Sequence, residues 1–239
     1  MSSEGASGCG RLYGVGVGPG DPELLTLKAV RILQTVPVIC VPQAEFSSDS
    51  YALTIAKDFL DLSRQEVLRL PFPTAGREAS QVWREAAETI ALHLQQGQDV
   101  AFIAEGDPML YSTFSYVYQN IREMHPHLPV EIIPGISSVM AAAAKAGVPL
   151  ATRSQRLAIL PAMYGTDDLE QVMAEYDTVV LMKVNRKTLQ ALSRLGEIAP
   201  EGKAVYVRRV TTPQEQVVHD LRQLSPNDLE YFSLVIITK

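Results

Sequence analysis

A chain of 239 residues with a net charge of −6 lacks the overall basic footprint of a nucleic-acid-binding protein. Its composition, 46% hydrophobic and 20% charged, describes an ordinary soluble globule whose core suits one large α/β domain or two smaller ones. No apolar run is long enough to span a membrane. Met1 to Gly10 is Ser/Gly-rich and lacks the basic start and apolar core of a signal peptide. Cys9 and Cys40 make neither a disulfide framework nor a zinc site, so a reducing, cytoplasmic home is the simplest reading.

Leu12 to Val17 reads as a first strand, broken by Gly18-Pro19-Gly20-Asp21-Pro22. Asp21 suits an N-cap, Pro22 a first helical residue and Glu23 a first turn. Leu25, Ala29, Ile32, Leu33 and Val36 then recur at helical spacing. This loop does not complete a dinucleotide fingerprint, because from Gly14 or Gly16 the last glycine position falls on Pro19 or Asp21. It is not a P-loop either: Asp21 stands where lysine is needed and would repel phosphate.

Val36 to Val41 reads as a second strand stopped by Pro42, followed by a helix from about Tyr51 to Leu62 and a strand from Glu66 to Leu70. Residues 71–76 are loop, and a long helix from about Arg77 to Gln96 puts Val82, Ala86, Ile90 and Leu94 on its core side before Gly97 ends it. Val100 to Ile103 is a buried strand that stops at Gly106-Asp107-Pro108, with a helix expected from about Ser112 to Met124. Strand, tight turn and helix start describe the carboxyl-end crevice of an open α/β sheet, where ligands bind, or else an ordinary βα loop. His125 and His127 have no third ligand near them in sequence and read as polar loop residues rather than a metal site.

Val130 to Ile133 is a strand, Pro134-Gly135-Ile136-Ser137-Ser138 the turn after it, and Val139 to Ala146 a helix of small residues. Further strands are expected at 157–160, 178–184, 203–210, 216–219 and 234–238, with helices at about 167–174 and 186–195. The alternation predicts an α/β fold with a mostly parallel N-terminal sheet and a mixed C-terminal one. The domain boundary falls near residues 126–134, giving domains of 11–128 and 129–239.

Four segments arrive in an order that carries a family resemblance. They are Val15-Gly16-Val17-Gly18-Pro19-Gly20-Asp21-Pro22-Glu23 and its continuation to Ala29, Glu105-Gly106-Asp107-Pro108, Pro134-Gly135-Ile136-Ser137-Ser138, and Arg208-Arg209-Val210-Thr211-Thr212-Pro213-Gln214-Glu215-Gln216. Over residues 11–239 the chain resembles the tetrapyrrole methylase family, the class III S-adenosylmethionine-dependent methyltransferases. Asp107 to Phe114 is similar to the branch that methylates C20 of precorrin-2 or cobalt-factor II on the route to vitamin B12.

That resemblance implies two α/β domains with the active site in the cleft between them, and a homodimer. It implies S-adenosylmethionine as co-substrate and S-adenosylhomocysteine as product. The donor would be held by Gly106, Asp107, Met109, Tyr111, Ser112 and Thr113, by Ser137 and Ser138, and by Met182, Tyr206 and Ser233 around the adenosine. Gly18, Pro19 and Gly20 would face the macrocycle. The substrate's many carboxylates call for basic residues: Lys28, Arg77, Arg153 and Arg208 first, with Arg156, Lys183, Arg186 and Arg209 as further candidates. Methyl transfer from a sulfonium needs alignment and exclusion of water more than acid–base help. The proton lost from C20 could go to Asp107, Tyr231, Asp21 or a substrate carboxylate; for Tyr231 the plainer reading is a half-buried tyrosine at a strand start. Cobalt, where present, would arrive inside the substrate. The family also holds methyltransferases for other ring carbons, ribosomal RNA and diphthine, and the sequence alone leaves open a non-catalytic donor- or tetrapyrrole-binding protein.

Overall fold

Strands that are apolar on both faces need cover on both faces. The first half of the chain meets that need with five parallel strands: β1 (Leu12–Gly16), β2 (Val38–Ala44), β3 (Glu66–Phe72), β4 (Val100–Ala104) and β5 (Val130–Ile133). Their order in the sheet is β3-β2-β4-β1-β5. The computed structural model describes residues 8–44, 50–72, 77–162, 168–185, 188, 203–225 and 227–239. The chain divides into two units, Met1–Ser137 and Ser138–Lys239.

In the first unit, α1 (Leu27–Leu33), α2 (Tyr51–Ala56), α3 (Arg77–Gln95) and α4 (Phe114–Met124) fall between successive strands. Connections running toward β3 carry α1 and α2, and those running toward β5 carry α3 and α4. A single crossover hand then places the two pairs on opposite faces. The core follows suit: Val38, Cys40, Val100 and Phe102 pack with α3 and α4, whereas Ile39, Val41, Ala101 and Ile103 pack with α1 and α2. Burial pushes the Cys40 thiol pKa up. The chain leaves the neighbouring strands β1 and β4 in opposite directions, so the ends of these two strands form the switch point of the sheet.

Several expectations change, and the helix expected from Tyr51 to Leu62 ends at Ala56, with a 3-10 turn over Lys57–Phe59 after it. β2 does not stop at Pro42 but continues to Ala44. Its pairing with β4 ends at Cys40, so the missing N–H of Pro42 falls where β2 has β3 alone as neighbour. The helix expected from Ser112 begins at Phe114. Most consequential, β5 pairs along β1. Residues 129–137 therefore belong to the first unit, and the boundary lies at Ser137/Ser138 instead of 128/129.

The second unit holds β6 (Leu157–Pro161), β7 (Thr178–Met182), β8 (Lys203–Arg208), β9 (Gln216–Val218) and β10 (Ser233–Thr238), with α5 (Ser138–Ala146) and α6 (Leu169–Glu175). The order is β6-β7-β10-β8-β9; β6 and β7 are parallel and the other pairs antiparallel. This is the mixed sheet the sequence predicts. Val179, Leu181, Tyr206, Val218, Val235 and Ile237 share its core face with Leu169 and Met173 of α6. The helix expected at 186–195 lies outside the described residues, Thr188 excepted.

Candidate functional site

Three turns meet at the carboxyl ends of β4, β1 and β5, and they meet backbone to backbone. The Gly106 N–H donates to the Gly18 carbonyl at 2.8 Å, and the Val17 N–H to that of Ala104 at 2.9 Å. A Cβ on Gly135 would stand 2.1 Å from the Gly106 carbonyl oxygen, and one on Gly16 2.6 Å from it. No side chain larger than hydrogen fits at either position. Gly18 and Gly106 also have φ of 77° and 67°, where glycine is at ease.

Apart from Lys28 and Arg77, the candidates of the first unit lie in or beside these turns. Gly18 and Pro19 are buried, and the Tyr51 hydroxyl donates to the Pro19 carbonyl at 3.4 Å. Gly20 follows, and the Asp21 carboxylate accepts the Glu23 N–H at 2.9 Å as the cap of a short 3-10 turn. After β4, the two Asp107 oxygens accept the N–H groups of Met109 at 2.8 Å and Gly135 at 3.0 Å. Met109 and Tyr111 are 50% and 43% exposed, and Tyr111 holds a left-handed φ of 49°. The Ser112 hydroxyl accepts the Phe114 N–H at 3.3 Å, Thr113 is the N-cap residue of α4, and Ser137 is buried after the Gly135 turn. Ser138 opens α5 in the second unit.

In the second unit a separate group gathers where β7 and β8 end and the antiparallel β10 begins. It comprises Met182, Lys183, Arg208, Arg209 and Tyr231 to Ser233. Lys183 and Arg209 both have left-handed φ, 58° and 44°. Their N–H groups donate to the carbonyls of Ser233 and Phe232, at 2.9 Å each. The Lys183 ammonium lies 5.0 Å from the centroid of the Tyr231 ring, which is 50% exposed. The Arg209 guanidinium forks onto Glu230 at 2.6 and 3.1 Å. Arg208 Nε and the Oε1 of its cross-strand neighbour Gln216 are both buried without a hydrogen-bond partner among the described residues, an unusual pair of donor and acceptor.

Tyr206 and Met182, both expected around the adenosine, are not brought together. Register places Tyr206 opposite Val235, and Met182 opposite Leu234, so the two side chains leave opposite faces of the sheet. Tyr206 is fully buried in the core, its hydroxyl donating to the Asp228 carbonyl, and burial pushes its phenol pKa up. Ser233 shares the Tyr206 face and donates its hydroxyl to the Glu230 carbonyl. Arg156 lies at the start of β6, the end of the sheet away from Lys183, with its guanidinium 4.8 Å from the Tyr176 ring centroid. Arg153, three residues earlier, is exposed with φ 52°. Lys28 is ion-paired to Glu131, which also faces Arg11 at 3.6 Å. Arg77 opens α3, but its side chain, like all of Arg186, lies outside the described residues.

Sequence reasoning gave no role to Glu131, Glu215, Gln216 or Glu230. Glu215 and Gln216 close a quoted motif, which was the available signal, whereas Glu230 lies outside every quoted motif. Glu215 accepts the N–H of left-handed Thr211 at 2.6 Å and pairs with Lys145 at 3.5 Å. Glu131 carried no local signal, since its Lys28 partner is remote in sequence. Among the described residues, no helix is long and apolar enough to cross a membrane.

The model of the family "Tetrapyrrole (Corrin/Porphyrin) Methylases" matches residues 11–224. The chain is 32% identical to the cobalt-precorrin-2 C(20)-methyltransferase of Salmonella typhimurium, covering 96% of this chain and 97% of that one. It is 34% identical to the precorrin-2 C(20)-methyltransferase of a Sinorhizobium species, covering 96% of each. The crystal structure of uroporphyrin-III C-methyltransferase from Thermus thermophilus, solved with S-adenosylhomocysteine, superposes with a TM-score of 0.69 at 26% identity, over 96% of this chain and 98% of that one.

Proposed function

The chain belongs to the tetrapyrrole (corrin/porphyrin) methylases, and from that we propose that it transfers a methyl group from S-adenosylmethionine to C20 of precorrin-2, metal-free or cobalt-bearing. The observation that carries this reading is the junction of three turns at the switch point of the first sheet. There the backbone of Gly16, Gly106 and Gly135 closes up and Met109, Tyr111 and Ile136 stand exposed around it. Polar backbone beside exposed apolar side chains suits a small ligand that is both zwitterionic and aromatic. Full-length relatives that act on C20 of this macrocycle point the same way.

S-adenosylmethionine supplies an electrophilic methyl group and leaves as a neutral thioether. The chain's own residues have to align donor and acceptor and exclude water. The turns at Gly106–Tyr111 and Pro134–Ser137 hold the donor's methionine part, with Ser112, Thr113 and Ser138 beside them. Met182 and Ser233 serve the adenosine; Tyr206, sealed in the core, serves as its support. The Gly18-Pro19-Gly20 turn and Asp21 face the macrocycle. For the substrate carboxylates the reading takes Lys183, just past the end of β7, and Arg208, at the end of β8, the two strands that flank β10. The C20 proton goes to Tyr231, Asp107, Asp21 or a substrate carboxylate; the Lys183 ammonium lies 5.0 Å from the Tyr231 ring centroid.

The reading extends to a cytoplasmic homodimer that acts on a small molecule, with neither nucleic acid nor membrane as partner. The net charge of −6 supports the part about nucleic acid, and the two free thiols, Cys9 and Cys40, the part about a reducing compartment; the homodimer rests on the family resemblance. The test is incubation of the purified protein with methyl-labelled donor and each of precorrin-2 and its cobalt form. Label at C20 is the expected result. A macrocycle that stays unlabelled in both forms would end the proposal.

A further inference from the structure

Asp107 invites reading as a catalytic base, being a carboxylate at the edge of the junction of the three turns. Its contacts assign it other work. One oxygen accepts the Met109 N–H at 2.8 Å, closing the turn that follows β4. The other accepts the Gly135 N–H at 3.0 Å, across to the turn that follows β5. Both bonds are charge-assisted, the stronger kind. A proton on the carboxylate would weaken the bonds that hold the two turns together.

We infer that Asp107 is a positioning residue, a brace that fixes the spacing of the β4 and β5 turns and thereby the shape of the donor pocket. The inference rests on the methyl-donor reading above.

The need for such a brace follows from the packing around it. The Gly106 carbonyl is wedged against the backbone of Gly16 and Gly135, so the turns meet there through backbone with no Cβ between them. Small backbone shifts at this point would move Met109 on one turn and Ile136 on the other, both exposed. Tyr111, two residues beyond Met109, holds a left-handed conformation, and such strain persists only where neighbours over-determine the backbone. The Asp107 carboxylate fixes the start of that turn and reaches the β5 turn at the same time.

Brace and base predict opposite kinetics. Asp107→Asn keeps one acceptor oxygen but turns an N–H toward one of the two N–H groups now bonded. Affinity for S-adenosylhomocysteine, measured by calorimetry, should fall about tenfold, and the KM for S-adenosylmethionine should rise alongside it. The kcat at saturating donor should stay within about threefold of wild type, with the shape of the pH–rate profile unchanged. Amide exchange at Gly135 should quicken. Asp107→Ala, which removes both bonds, should weaken affinity further in the same direction. If that variant fails to fold, the asparagine variant still decides. A kcat loss of about a hundredfold or more with wild-type affinity would make Asp107 the base and overturn the brace. Unchanged affinity, KM and Gly135 exchange would overturn it as well. Wild-type protein that does not bind S-adenosylhomocysteine would overturn the donor reading, and this inference with it.

Discussion

Glu131 joins two cations from distant segments, Lys28 of α1 and Arg11 just ahead of β1. The Lys28 hydrogen bond is the main cause holding its carboxyl below the ordinary glutamate range, with the charges of Lys28 and Arg11 adding to it. A depressed carboxylate contributes stability above the unfolded-state pKa, and loses it as pH falls through the folded-state value. The pair is partly exposed, so its worth is at most about 1 kcal/mol. Glu131→Gln should therefore lower stability slightly at neutral pH and match wild type in acid, below both values. Urea titrations at several pH values would show a gap closing toward low pH; a gap of constant size would refute the pairing. At this scale the sequence was least informative. Lys28 reads as a substrate ligand because nothing local reveals that its partner lies on β5. The same holds for Arg209 and Glu230, whereas the glycines of the three turns were visible as motifs.

Elements were more legible than residues, because apolar periodicity records burial directly. Val100 to Ala104 is buried throughout, as its unbroken apolar run predicts for a central strand covered on both faces. The ends of elements were less clear, since they answer to tertiary partners. The start of α4 is one case. Phe114 is fully buried, its ring centroid 5.5 Å from that of Phe102. A Cβ on Gly14 of β1 would come within 2.3 Å of its ring. Helix and strand are thus pinned by an aromatic ring lying on a glycine. Phe114→Ala should cost about 3–5 kcal/mol through lost burial and a cavity. Gly14→Ala should also destabilise, by forcing the ring to shift. The two should not add: with the ring gone, the new methyl enters the space it left, so the double variant should be more stable than the sum implies. Chemical denaturation of the four proteins measures the coupling, and strict additivity would show that the ring and Gly14 do not bear on each other.

At the scale of the whole chain, strand order was beyond sequence reasoning. Periodicity marks a strand as buried but not beside which strand it lies, and β5 was assigned to the wrong unit for that reason. The cores that result share no residue. Among the described residues, the two clusters of the first unit end at Ile133, and that of the second begins at Ala158. A defect in one core should accordingly register locally. Val235 is fully buried in the second core, opposite Leu181 and Tyr206. Val235→Ala should cost about 2 kcal/mol by removing methyl groups from a packed interior. Hydrogen exchange should then quicken across β7, β8 and β10, where these amides open with the unit that contains them. Amides of β1 and β4, whose opening depends on a core with no atoms from Val235, should keep their wild-type rates. Equal acceleration in both sheets would mean that the two units open as one cooperative body, so that the separate cores are features of packing and not of stability.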